Sequence, residues 1–178
     1  MCSDYIFTSA RLGFRNWTDT DVLPMSEINM DEEVMKYFPS TQSIQQTAAF
    51  IERMRTQFKE IGYCYFAVDI LENSTFIGFI GLSIPTFTSI YTPCTDIGWR
   101  LKKSEWNNGY ATEGAKRCLQ YAFDTLKLNE VYAFAPLANN KSWQVMEKLG
   151  MMKLDNFIHP LLHDTLQLKE CVTYKMKK

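Results

Sequence analysis

The segment IGWRLKKSEWNNGYATEGAKRCLQYAF, residues 97–123, holds the reading on which the rest depends. An alternating strand ends near Leu101, a short polar turn follows, and a glycine-containing loop opens a long amphipathic helix predicted over 108–126. The first backbone N–H groups of such a helix have no partner within it, and the helix dipole adds positive character there. Gly109 has no side chain and Ala111 a small one, so a ligand can approach the main chain. A junction of this kind holds a pyrophosphate without needing many lysines. It also serves as a plain tight turn, and this segment alone leaves both readings open.

Working outward, RLGFRNW (11–17) alternates as a strand. Thr18 and Asp21 form an acidic variant of the capping box, which predicts a helix to about Asn29. A short helical turn is expected over 31–37, before Pro39. Ser43 and Gln46 repeat the capping signature. Phe50, Ile51, Met54, Phe58 and Ile61 then follow at helical spacing, and Gly62 stops that helix. Beyond it the period changes. YCYFAVDIL (63–71), a turn at 72–74 and TFIGFIGLSI (75–84) read as a hairpin, and a loop with Pro85 and Pro93 leads to the strand CTDIGWRL (94–101). Downstream of the long helix come the strand EVYAFAP (130–136), a helix over 138–149 ended by Gly150, and two further strands around a loop holding His159 and Pro160. This order describes one α+β domain around one central sheet.

Composition narrows the function classes. The 178 residues suit a single domain, 46 % of them apolar and 22 % charged, enough to bury a core. A formal net charge of -1 gives no basic field for nucleic acid or an anionic membrane, and Lys175, Lys177 and Lys178 at the end are too few to change that. Five cysteines, an odd number without a C-x-x-C pair, predict no disulfide framework or zinc site and suit a reducing cytoplasm. No leader opens the chain and no apolar run approaches the roughly 20 residues that span a bilayer. There is no G-x-G-x-x-G after the first strand and no P-loop lysine, against a nucleotide-binding Rossmann-like domain. His159 and His163 are four apart, but Pro160 between them argues against a helical metal pair, and no metal is expected. Met25, Met30, Met35 and Met54 read as core filler rather than as a functional stripe.

Trp106 to Ala111, WNNGYA, resembles the Q/R-x-x-G-x-G/A signature of the GNAT N-acetyltransferases. GYATEGAK is close to the form in the Rim-type branch, which includes the ribosomal-protein alanine acetyltransferases, and ANNKSWQVMEKLGM (138–151) is similar to that branch's second signature. YFPSTQS, FIGFIGL, DIGWRL and the tail NFIHPLLHDTLQLKECVTY resemble one subgroup of these enzymes, so the resemblance covers nearly the whole chain.

It implies a single GNAT domain over 1–178, with a mixed central sheet of about seven strands flanked by helices. Strands 96–101 and 130–136 would splay apart, the pantetheine arm of acetyl-CoA pairing with backbone near Trp99 and Leu101. The pyrophosphate would lie on amides near Asn108, Gly109, Tyr110 and Ala111, and Asn139 would bond the pantetheine. By its type and position Asn139 is equally a helix N-cap. The implied reaction is direct attack of an amine on the thioester, with Asp96 as base and a backbone N–H near Trp99 to Leu101 as oxyanion donor. Asp96 also reads as a strand-end residue with a structural hydrogen bond.

Many family members carry a thiol-protonating tyrosine where this chain has Met146; Ser142 is the substitute, or else a second capping hydroxyl. Trp106 and Asn108 depart from the usual polar phosphate contacts. The acceptor is a primary amine, small or at a protein N-terminus, which Asp31, Glu32 or Glu33 would bind unless they form a solvated face. A homodimer follows by family analogy only. The alternative is a non-catalytic acyl-CoA-binding module, favoured by Met146 and opposed by Asp96 and Ser142.

Overall fold

The computed structural model describes residues 5–162 and 164–178; Cys2 and His163 lie outside the described residues. Two short antiparallel strands, β1 (Phe7–Thr8) and β2 (Leu12–Arg15), begin the sheet, with Phe7 opposite Phe14. Both halves of the Thr18–Asp21 capping box form. A 3₁₀ turn, Asp19–Asp21, leads into α1 (Val22–Met30), and Asp31 caps α2 (Glu32–Met35) by accepting from the amides of Glu33 and Val34. Asp31 thus caps a helix and is half-buried, while Glu32 and Glu33 are exposed. The Ser43–Gln46 box starts α3 (Ile44–Ile61), which Gly62 ends in the left-handed conformation at φ 79°. Met25, Met35 and Met54 are core residues, whereas Met30 is 48 % exposed.

The hairpin is β3 (Tyr65–Ile70) and β4 (Thr75–Ser83), followed by β5 (Asp96–Leu101). The helix predicted over 108–126 is α4 (Tyr110–Gln120) closed by a wider π-helical turn, Tyr121–Thr125, in which Leu126 N–H bonds to Tyr121 O. That turn presents Tyr121, whose ring stacks on Phe7 at 4.5 Å and whose hydroxyl donates to Gly62 O. β6 (Glu130–Pro136) and α5 (Asn140–Lys148) match expectation. The tail holds three strands instead of two: β7 (Met152–Lys153), β8 (Phe157–Ile158) and β9 (Glu170–Lys177). β1, β7 and β8 are two residues long, too short to show an alternation, so nine strands form among the described residues where about seven were expected. Lys175 lies within β9 and pairs with Glu130 at 3.0 Å rather than ending the chain in solvent.

The sheet runs β1-β2-β3-β4-β5-β6-β9-β7, with β8 beside β9. One face carries α1 and α3: Phe50 meets Phe79 with centroids 5.4 Å apart, and Asn29 Nδ2 donates to Thr47 Oγ1. The other carries α4 and α5. A methyl at Gly114 would press on Ile80 Cδ1, so α4 lies this close to the sheet because the position carries no side chain. Among the described residues β5 and β6 are the one parallel pair, and this pair positions the site.

Candidate active site

β5 pairs fully with β4, from Gly78 opposite Leu101 to Ser83 opposite Asp96, but meets β6 only where Asp96 faces Tyr132. Beyond that point the two strands diverge toward their C-terminal ends. Lys102 N–H donates to Ile77 O, toward β4, while Thr95 O accepts from Tyr132 N–H, toward β6. Direction alternates along a strand, so the main-chain groups of Trp99 and Leu101 face the opening. The Leu101 carbonyl is already occupied, since the Trp106 indole donates to it at 2.9 Å. Trp106, where the signature usually has Gln or Arg, therefore takes up one main-chain acceptor at this strand end, and Lys141 from α5 lies over its ring at 5.2 Å.

The loop before α4 stands beside the ends of these strands. Asn107 and Gly109 both take the left-handed conformation, at φ 63° and 80°, and a methyl on Gly109 would meet nothing within 4 Å except an Arg11 Nη2 at 3.6 Å. Gly109 is the N-cap of α4 without a side-chain cap, so the amides of Tyr110 and Ala111 belong to an open helix start. Asn108, Gly109, Tyr110 and Ala111 thus form one accessible main-chain cradle suited to an anion.

Sequence reasoning missed Arg11, treating it only as the first residue of a strand. Its Nε donates to Glu113 at 2.7 Å, its Nη2 to Asn108 O at 3.0 Å, and its guanidinium lies 4.5 Å from the Tyr110 ring centroid. Glu113 also accepts from Ser9 Oγ and Arg11 N, and these bonds hold its carboxyl below the usual range against partial burial. Nothing in the local pattern signals contacts 97 to 104 residues apart.

At the opposite end, where β5 and β6 meet, Asp96 accepts from the Tyr65 hydroxyl on both carboxylate oxygens, at 2.9 Å each. Burial raises the Asp96 carboxyl to about 7, with the Tyr65 hydrogen bond pulling the other way. Tyr65 stacks on Phe79 at 5.0 Å and covers Gly98. The two readings of Asp96 are therefore compatible: it has a structural partner and also an affinity for protons suited to a base near neutral pH.

Asn139 caps α5, its Oδ1 accepting from Ser142 N at 3.3 Å, which leaves its amide NH₂ for another acceptor. Ser142 is half-buried in the first turn of α5, and among the described residues its hydroxyl caps no amide. Met146 is 1 % exposed and part of the core. His159 holds a turn, accepting Leu161 N–H on Nδ1 and packing on Phe87 with centroids 4.2 Å apart. Among the described residues no group of three or more His, Cys, Asp and Glu side chains is arranged for a metal.

Residues 11–152 match the family described as acetyltransferase (GNAT) domain. The uncharacterized N-acetyltransferase YnaD of Bacillus subtilis (strain 168) is 30 % identical over 148 residues, 82 % of each chain. Among solved structures, a GNAT-family acetyltransferase from Bacillus anthracis superposes with a TM-score of 0.79 at 25 % identity, covering 96 % of both chains. A putative ribosomal-protein-serine acetyltransferase from Vibrio cholerae shares the fold, with a TM-score of 0.77 over the full length of both chains at 16 % identity.

Proposed function

Because the chain belongs to the GNAT acetyltransferase family and is an acetyl-CoA-dependent N-acetyltransferase, we propose that it passes the acetyl group directly to a primary amine, on a small molecule or a protein N-terminus, across the opening between β5 and β6. The observation that carries this is the single Asp96–Tyr132 pairing of those strands, which leaves the Trp99 and Leu101 main chain facing a gap between the phosphate-type cradle and a proton-accepting carboxylate.

In this reading the cradle of Asn108, Gly109, Tyr110 and Ala111 holds the pyrophosphate of acetyl-CoA, steadied by Arg11. Backbone of Trp99 and Leu101 and the amide of Asn139 pair with the pantetheine arm. Asp96 removes a proton from the amine, directly or through water, and a Trp99 or Leu101 N–H stabilises the oxyanion. Met146 carries a thioether with no proton to give, so Ser142 passes its hydroxyl proton to the leaving thiolate and recovers one from water. We place the whole of 1–178 in this one domain and the activity in the cytoplasm; no helix among the described residues is long and apolar enough to cross a membrane.

The test measures thiol release from acetyl-CoA over a panel of amines, beside calorimetry of acetyl-CoA binding. Asp96→Asn should lose about 10²–10⁴-fold in kcat while binding acetyl-CoA as the wild type does. Full turnover in that variant would remove Asp96 from the mechanism.

A further inference from the structure

Two half-buried arginines stand on the sheet face that carries α1 and α3, and they differ in one respect. Arg15 is enclosed by carboxylates, with Nη1 and Nη2 on Asp21 at 2.7 and 2.8 Å and Nε and Nη2 on Asp69 at 2.7 and 3.0 Å. Arg100, four residues after Asp96 on β5, has no carboxylate partner among the described residues. Its Nη1 donates to Asn29 Oδ1 at 2.6 Å, and the guanidinium lies 4.1 Å from the Phe38 centroid and 5.5 Å from that of Phe79. Its Nε is shut off from solvent without any acceptor. Burial lowers Arg100 to about 10, still cationic at neutral pH. Asp96, four residues back along β5, bonds Tyr65 rather than Arg100.

The free edge is the informative part. Asn29 takes Nη1, and among the described residues no acceptor meets the Nε–Nη2 side, the edge that donates to the two oxygens of a carboxylate in parallel; Nη2 is its outer atom and Nε its inner one. A buried cation without a counterion is costly in a folded chain unless something else supplies the charge. The Asn29–Arg100 pair thus offers a cationic fork under the half-exposed ring of Phe38. Arg100 lies on the same strand and face as Asp96.

We propose that Arg100 binds an anionic group on the acceptor, so that the preferred substrate is a small amine that also carries a carboxylate, rather than a polyamine. This rests on the proposed function and names the acceptor class for that site. The experiment compares matched amines on one scaffold: amino acids, their neutral amides, phosphorylated amines, diamines and short peptides with an acidic residue. Each is assayed with the wild type, Arg100→Met and Arg100→Lys, with acetyl-CoA affinity measured in parallel by calorimetry. Carboxylate-bearing amines should exceed their amides by roughly 10–100-fold in kcat/KM, the range of a charge-assisted hydrogen bond. Arg100→Met should abolish that preference with acetyl-CoA affinity unchanged, and Arg100→Lys should restore only part of it.

Amides, diamines or peptides used as well as amino acids would overturn the proposal, as would a preference surviving in Arg100→Met. A phosphorylated amine preferred over its carboxylate counterpart would reassign the fork to phosphate and overturn the carboxylate assignment. Loss of acetyl-CoA affinity in Arg100→Met would move the fork to the acyl donor and overturn it too. Failure of the wild type to bind acetyl-CoA would sink the donor-site reading instead. Thermal stabilisation by amino acids would then still decide the present proposal: present in wild type and absent in Arg100→Met supports it, and equal shifts refute it.

Discussion

The Tyr65 hydroxyl bridges both oxygens of Asp96 because Gly98, between Asp96 and Arg100 on the same face of β5, has no side chain. A methyl at Gly98 would lie 3.1 Å from the Tyr65 ring and hydroxyl, and the Phe79 stacking partner leaves that ring little room to move. The catalytic candidate is thus tuned by a residue two strands away. Burial raises Asp96 to about 7, and the tyrosine limits the rise.

If Asp96 is the base, kcat/KM should climb with pH along a limb centred near 7. Tyr65→Phe removes a bond that favours the carboxylate, so the limb should move to higher pH, by about 1–2 units for one charge-assisted hydrogen bond. Gly98→Ala should move it in the same direction by displacing the ring. A pH–rate profile unchanged in both variants would show that Asp96 does not set the rate.

The same group ties stability to pH. Its folded value, about 7, stands above the ordinary value of 3.8, so the folded state binds the extra proton between them. The contribution of Asp96 is fully present below about pH 4 and is lost as pH rises through 7. Asp96→Asn should therefore melt several degrees above the wild type at pH 8, with the gap closing toward pH 4. A gap independent of pH would mean that the buried carboxyl is not titrating.

Arg11→Met tests the clamp on the phosphate cradle. The Arg11–Glu113 pair is exposed, with side chains 48 % and 20 % accessible, so its loss should cost only about 0–1 kcal/mol of stability. Losing the guanidinium on Asn108 O should nevertheless raise the KM for acetyl-CoA about tenfold, with kcat nearly unchanged, because positioning acts on binding rather than on the chemical step. An equal fall in kcat at constant KM would place Arg11 elsewhere in the mechanism.

Ser142→Ala separates a proton donor from a spectator. With Met146 buried, a thiol acid at Ser142 should show as a kcat loss of roughly tenfold or more that shrinks for acyl donors with a better leaving thiol. Wild-type kcat would leave Ser142 as an ordinary first-turn residue, and thermal melting checks that α5 is intact in either case.

Local signals carried most of the architecture. The capping pairs Thr18–Asp21 and Ser43–Gln46, the left-handed stop at Gly62 and the strand at 130–136 stand where the pattern places them, because caps and periods act over a few residues. The π-helical turn after Gln120 and the two-residue strands β1, β7 and β8 are set by partners distant in sequence, such as Phe7 under Tyr121, and carry no period of their own.

By itself the amino-acid sequence determined the family and the open start of α4, since the left-handed turn at Gly109 and the uncapped amides after it follow from WNNGYA, a local signal. Only the tertiary structure decided what surrounds the reacting atoms. It put Tyr65 on Asp96, Arg11 on Asn108, Trp106 on the Leu101 carbonyl, and Arg100 beside Asn29 without a counterion. Each of these except the Trp106 bond joins residues 31 to 97 apart in the chain, a separation at which side-chain chemistry leaves no periodic trace and only the register of the sheet brings the groups together.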